Sequence, residues 1–251
     1  SRGDLEEAFR VRTEEELPVY ERLGDVREIA VTKGKLADIL FSRGDLEEAF
    51  RVRTEEQLPI FERLGDVRSI AVTKGKLADI LFSRGDLEEA FRVRTEEQLP
   101  IFERLGDVRS IAVTKGDLAD ILAARGDAVG ALKILQEEKR PLMEKLRDED
   151  GLVHLLYQIS AIRLGLEGLT QDNFSEVVRD LTDAFKRVQK LGRPDGIGAI
   201  GSLLGQVFLS MHAFEPALEV LLIAEAGFRK MNWQEKADQV AELARQARAQ
   251  L

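Results

Sequence analysis

A chain of 251 residues without cysteine has no disulfide framework, no thiolate metal site and no cysteine nucleophile, and it fits a reducing, cytoplasmic setting. Its net charge of -9 is spread through the chain, with 37 basic residues among 46 acidic ones. A mixed acidic surface argues against nucleic acid, whose phosphates ask for a basic face; no apolar run of about 18 residues exists to span a membrane.

In chain order, Ser1–Phe41 returns as Ser42–Phe82 and again as Ser83–Ala123, a period of 41 residues. The second and third copies differ only at Lys76 against Asp117 and Phe82 against Ala123. The first departs from the second at Glu16, Val19, Tyr20 and Glu28. Repetition at this interval means stacked supersecondary units, each too small to bury a core alone.

Each copy reads as two helices. In the second, Gly44 suits the left-handed stop of the preceding helix, Asp45 an N-cap, and Glu48 the reciprocal partner of a capping box. Glu47, Arg51 and Glu55 follow at i,i+4 spacing and predict a solvated ladder. Leu46, Ala49, Phe50, Leu58, Phe61 and Leu64 supply the buried side. Pro59 removes a backbone donor, and the apolar pattern slips by about one residue between Phe50 and Leu58; both predict a kink and a bulge there. Leu64-Gly65-Asp66 repeats the stop and cap, and a second helix runs from Val67 to about Ser83 with Ile70, Ala71, Leu77, Ala78 and Leu81 facing its neighbours. Short Gly-Asp turns make successive helices antiparallel, and strand signals are absent.

Beyond Ala124 the sequence drifts while the frame persists. Arg125-Gly126-Asp127 opens another long helix with Pro141 one period after Pro100, and a further helix is predicted from about Asp150 to Leu169. Gln171-Asp172-Asn173-Phe174 starts the next, ending near Leu191-Gly192; Gly196–Met211 and Phe214–Lys230 make one more pair. The last segment, Trp233–Leu251, sets Trp233, Ala237, Val240, Ala244 and Ala247 opposite Glu235, Glu242, Arg245 and Arg248, as a helix covering the end of a stack must. Ser1 enters in mid-repeat, which reads as a fragment of a longer array with an uncapped N-terminal face. The expected organisation is a single all-α solenoid over 1–251: near-identical repeats to 123, diverged repeats over 124–231, and a capping helix over 232–251.

The helix pairs resemble the tetratricopeptide repeat (TPR) family. Leu77-Ala78, Leu81, Gly85-Asp86-Leu87 and Ala90 follow the family spacing, as do Leu164-Gly165, Gly168, Asp172-Asn173-Phe174 and Val177, and again Leu204-Gly205, Phe208, Phe214 and Ala217. The period departs from the ordinary form, and polar Arg53 and Glu56 stand where the family buries an aromatic and an alanine. Longer versions with a turn such as Leu64-Gly65-Asp66 are similar to those of kinesin light chain, spindle-orientation scaffolds and bacterial signalling ATPases. The resemblance implies a right-handed superhelix that binds a peptide or partner helix in its concave groove, without cofactor, metal or catalysis. On this chain that groove would show Val31, Gly34, Asp38 and Phe41, then Val72, Gly75, Asp79 and Phe82, then Val113, Gly116, Asp120 and Ala123.

This is an apolar track with a ladder of aspartates. Either the ladder reads lysine or arginine on an extended ligand, or each Asp pairs with a neighbouring Lys such as Lys35 or Lys76. The same positions repel a C-terminal carboxylate, so a chaperone tail fits poorly. In the apolar stretch Leu152–Leu169, Ile159, Ile162, Leu166 and Leu169 would look into the groove as a partner patch, unless curvature buries them. Gly198, Gly201 and Gly205 form a flat face suited to close helix packing. Two further readings are a ligand-sensing array of a larger bacterial signalling ATPase and self-association through the N-terminal face.

Other signals are discounted. Arg-Gly-Asp at Arg2, Arg43, Arg84 and Arg125 serves as helix stop and cap rather than adhesion. Asp148-Glu149-Asp150-Gly151 is too short for a calcium loop and better starts a helix. His154 and His212 lie apart, without flanking carboxylate pairs, and read as packed side chains. No phosphate-cradling glycine loop and no nucleophile constellation occurs.

Overall fold

The structure is a computed structural model that describes residues 2–166 and 171–251; among these every regular element is helical. The chain divides into two compact units, Ser1–Asp127 and Ala128–Leu251.

In the first unit each repeat is a long bulged helix followed by a straight one. The first holds α1 (Arg2–Val11), a π-helical turn over Arg12–Glu16, α2 (Leu17–Leu23) and then α3 (Val26–Arg43). The second holds α4 (Leu46–Arg51), a π turn over Val52–Gln57, α5 (Leu58–Leu64) and α6 (Val67–Arg84). The third holds α7 (Leu87–Arg92), a π turn over Val93–Gln98, α8 (Leu99–Leu105) and α9 (Val108–Ala124). The predicted bulge is this π turn. Pro59 sits in the first turn of α5; its ring would strike the carbonyl four residues back, and a wider turn relieves that clash. The inserted residue lets Val52, at the start of the π turn, and Ile60, just beyond it, both be buried.

The stops differ from the caps. Gly44 is left-handed (φ 87°), and the amide of Asp45 bonds the carbonyl of Leu40 at 2.9 Å, a Schellman closure. Asp45 makes no side-chain cap bond, so the expected capping box does not form; Glu48 instead accepts from Arg51 at 2.7 Å. Asp25, Asp66 and Asp107 do cap, accepting from the amides of Glu28, Ser69 and Ser110 at 3.1, 3.0 and 3.1 Å. Leu64, expected on the buried side, is exposed.

Arg43, Arg84 and Arg125, each from an Arg-Gly-Asp triplet, clamp one repeat to the one before. Arg43 lies 4.6 Å over the Phe9 ring and 2.9 Å from Glu6. Arg84 covers Phe50 at 4.6 Å and reaches Glu47 at 2.8 Å; Arg125 covers Phe91 at 5.1 Å and reaches Glu88 at 2.7 Å. Glu47 thus leaves its predicted partner Arg51 for the next repeat.

The second unit begins with the same plan: α10 (Ala128–Lys133), a π turn over Ile134–Lys139, α11 (Arg140–Leu146) with Pro141 in its first turn, and α12 (Glu149–Leu164). Asp148 caps α12, accepting from Gly151 at 2.9 Å. The predicted extension of that helix to Leu169 runs into 167–170, outside the described residues, as does Gly168. Then come α13 (Gln171–Leu191), α14 (Pro194–Ser210), α15 (Phe214–Lys230) and α16 (Gln234–Arg248). The flat glycine face brings α14 against its neighbours: a Cβ on Gly198 would stand 2.5 Å from Phe228, and one on Gly205 2.4 Å from Leu221. On α16, Ala237, Val240, Ala244 and Ala247 are buried as predicted; Trp233 stays partly exposed, with Lys236 4.6 Å over its ring. No helix among the described residues is long and apolar enough to cross a membrane.

Candidate functional site

The straight helices α3, α6 and α9 carry the same face three times. Arg27, Val31 and Lys35 stand at i, i+4 and i+8 on α3, as do Arg68, Val72 and Lys76 on α6 and Arg109, Val113 and Asp117 on α9. The bulged helix between two of them forms the floor. A cleft of about 430 Å³ between α3 and α6 has Arg53, Gln57 and Phe61 at its base. A second, of about 470 Å³ between α6 and α9, has Arg94, Gln98 and Phe102 there.

The floor is organised by a buried guanidinium. Arg53 is 4% exposed; it donates to Gln57 Oε1 at 2.8 Å, to Asp38 Oδ1 at 2.5 Å and to the carbonyl of Gly34 at 3.4 Å. Burial pulls the Arg53 pKa down, against the attraction of Asp38, but an arginine so paired stays charged. Arg94 repeats the arrangement with Gln98 at 2.8 Å, with Asp79, and with Asp117 at 2.9 Å. Beside Arg53, Lys33 meets Glu56 at 2.5 Å. Burial alone would raise the Glu56 pKa, but the bonds from Lys33 and Arg51 hold it below the usual carboxylate range.

This explains the fate of the predicted ladder. Asp38 and Asp79 answer neither Lys35 nor a bare groove; their principal partners are Arg53 and Arg94, with Lys76 3.6 Å from Asp79 as a secondary contact. The departure of Arg53 from the family's aromatic was the sequence signal for that pair. Gly34, Gly75 and Gly116 are buried, Gly34 and Gly75 at the walls of the two clefts. A Cβ on Gly34 would fall 2.1 Å from the Gln57 amide nitrogen, and one on Gly75 2.1 Å from that of Gln98; glycine lets the amide lie flat on the helix.

Several of the other expected residues line the cavities of this face. Val72 (46%), Phe82 (38%) and Val113 (55%) are exposed, and Asp38 and Asp120 are exposed beside them. Val31, Phe41 and Ala123 are half-buried. A third cavity, about 260 Å³, lies at the ends of these helices and is lined by Phe41, Phe82, Asp79, Asp117 and Asp120. In the second unit Ile159 is fully buried in the core, so the expected patch loses its centre; Ile162 and Leu166 are half-buried, and Leu169 lies outside the described residues. Of the cleft cations, Lys35 and Lys76 were named only as partners for the aspartates, and Arg27 and Arg68 were missed, although their spacing from Val31 and Val72 was legible.

The fourth repeat rewires the floor. Leu135 takes the place of the arginine and Lys139 that of the glutamine. Lys139, 4% exposed, bonds Gln158 and approaches His154 Nδ1 at 3.5 Å. His154 is exposed, not packed as expected. Among the described residues no group of three or more His, Cys, Asp or Glu is placed to hold a metal.

The fold is that of tetratricopeptide repeats, an all-α stack of antiparallel helix pairs. A Signal Transduction ATPase with Numerous Domains (STAND) protein with a tetratricopeptide repeat sensor from Pyrococcus horikoshii superposes with a TM-score of 0.69 at 17% identity, over 97% of this chain but 37% of that one. A kinesin light chain-like protein of nearly identical TPR-like repeats from Podosopora anserina gives 0.58 at 18% identity, over 80% and 95%. A Rap protein complexed with Competence and Sporulation Factor gives 0.61 at 13% identity, over 89% and 66%. No protein-family model and no curated protein matches the sequence.

Proposed function

We propose that this chain is a protein-interaction module that takes an extended peptide or a partner helix across the exposed face of α3, α6 and α9, without chemistry of its own. The observation that carries it is the apolar row Val72, Phe82 and Val113, left in solvent beside preformed clefts whose floors are locked by buried Arg–Gln–Asp bonds. A rigid surface loses little entropy on binding, so many small contacts sum to useful affinity. The likeness to a Rap protein complexed with a factor supports the reading. To test it, peptides selected on the 251-residue chain are titrated against wild type and against Val72→Asp and Phe82→Asp. Both positions are exposed, so the melting curve should hold while affinity falls about tenfold or more; unchanged affinity in both variants would refute the assignment.

A second reading makes the array the sensor of a larger signalling ATPase. It is supported by the match to a protein of which this chain covers 37%. A parent gene encoding no nucleotide-binding domain would remove it.

A further inference from the structure

The second and third repeats differ at two positions, and Lys76, Asp117 and Phe82 from those positions all line the cavities of the exposed face. Divergence confined to that face changes its charge from one end to the other. The α3–α6 cleft is lined by Arg27, Lys35, Arg53, Arg68 and Lys76 against the single carboxylate of Asp38. Arg53 is spent on Asp38, and Arg27 and Arg68 lean on the caps Asp66 and Asp107 at 2.8 and 2.6 Å. Lys35, exposed, has no partner among the described residues, and Lys76 has only the 3.6 Å contact to Asp79. This basic cleft stands on a chain whose net charge is -9.

At the other end the balance reverses. The cavity at the helix ends sets Asp79, Asp117 and Asp120 around one guanidinium, that of Arg94, with Phe41 and Phe82 as its apolar wall. Arg94, 5% exposed, is itself held by Asp79, Asp117 and Gln98.

Resting on the interaction reading above, we propose that the face is polarised and binds an extended peptide in one direction only. The peptide's carboxylate-bearing half lies in the cleft of Lys35 and Lys76. A lysine or arginine next to an apolar residue enters the cavity of Phe41, Phe82, Asp117 and Asp120, its aliphatic stem on the rings and its charge among the carboxylates. Complementary charge at both ends fixes which way the chain runs and rejects ligands of one sign. The Lys76-to-Asp117 difference between otherwise matching clefts is the element that breaks the symmetry of the repeats.

The test uses the full chain and three labelled synthetic peptides followed by fluorescence anisotropy. One carries glutamates in one half and lysine beside leucine in the other; the second is acidic throughout and the third basic throughout. The mixed peptide should bind about fivefold tighter than either, with a preference that fades as salt screens it. Asp117→Lys, which restores the second repeat's residue, should remove the advantage of the mixed peptide over the acidic one; Lys35→Glu with Lys76→Glu should make the basic peptide the best ligand. An unchanged ranking in these variants overturns the proposal. Binding that ignores charge yet still needs Val72 and Phe82 overturns polarity alone, whereas binding indifferent to Val72→Asp and Phe82→Asp, or no binding by any of the peptides, sinks this inference, and the first of these outcomes sinks the interaction reading with it.

Discussion

The two units solve the same packing problem with different materials. In the first, the long helix meets its straight partners through a buried polar knot, Arg53–Gln57–Asp38 and its copy Arg94–Gln98–Asp79, with a buried glycine beneath each glutamine. In the second, α13, α14 and α15 meet through glycines and a continuous apolar core of Val177, Leu181, Phe185, Ile200 and Leu204. Hydrogen-bonded polar knots fix one geometry because each donor has one acceptor, whereas an apolar interface relies on shape. Near-identity of the first three repeats therefore preserves a bonding pattern, whereas α14 and α15 need chiefly to keep volume; around α12 the second unit keeps buried bonds of its own, Lys139–Gln158 and Arg163–Asp180.

The sharpest way to break this contrast is to add atoms at the closest approaches. A Cβ on Gly201 would lie 2.8 Å from Phe185 and 2.9 Å from Ala224, with a backbone carbonyl 3.3 Å away. Nothing there yields cheaply, so Gly201→Val should cost about 3 kcal/mol. Gly75→Ala meets only the end of the Gln98 side chain, which can withdraw at the loss of one bond to Arg94, and should cost about 1 to 2 kcal/mol. Urea unfolding of both variants checks the order. Equal losses would mean that the amide is as immovable as the ring.

Next in size is the guanidinium. Arg53→Ala deletes a buried stem and leaves Gln57 and Asp38 without their partner; a loss of about 2 kcal/mol is expected, below the full cost of breaking an enclosed pair because Asp38 reaches water. Arg53→Met keeps the volume, and Asp38 can be solvated, so the cost should drop to about 1 kcal/mol or less. If methionine proved as damaging as alanine, the bonds rather than the packing would be what holds the floor.

Much of this was legible in sequence because its causes are local. Gly44 and Gly65 announced stops, Pro59 announced the bulge, and the 41-residue period announced the stack. What stayed hidden depends on neighbours one repeat away. Arg53 and Asp38 are 15 residues apart, and Arg84 and Phe50 sit in successive repeats; only the stacking brings them together. The groove expectation named Val72, Phe82 and Val113, which are exposed, together with Gly34 and Gly75, which are buried against the Gln57 and Gln98 amides. Helical spacing alone does not say which side the Gln57 amide will cover. Ile159 was misplaced for a related reason: α12 is apolar nearly all round, so its sequence does not indicate which side faces out.

The smallest effect separates the two kinds of helix start. Asp66 accepts bonds from the Ser69 amide and hydroxyl and lies 2.8 Å from Arg27, whereas Asp45 makes no cap bond. Asp66→Ala should therefore cost about 1 kcal/mol at neutral pH, and Asp45→Ala about 0.5 kcal/mol or less. The bond from the Ser69 amide, helped by its hydroxyl and Arg27 and opposed by burial, holds the Asp66 pKa below its ordinary 3.8; Asp107 behaves likewise, led by the Ser110 hydroxyl. A carboxylate more acidic in the folded state than in the unfolded one gives stability that is complete above the unfolded value and is lost as pH falls through the folded one. The penalty of Asp66→Ala should accordingly hold steady down to the ordinary 3.8 and shrink below it. Urea midpoints of wild type and Asp66→Ala at neutral and strongly acidic pH decide the matter, and a penalty unchanged by pH would place the value of Asp66 in its helix-starting backbone conformation instead of its charge.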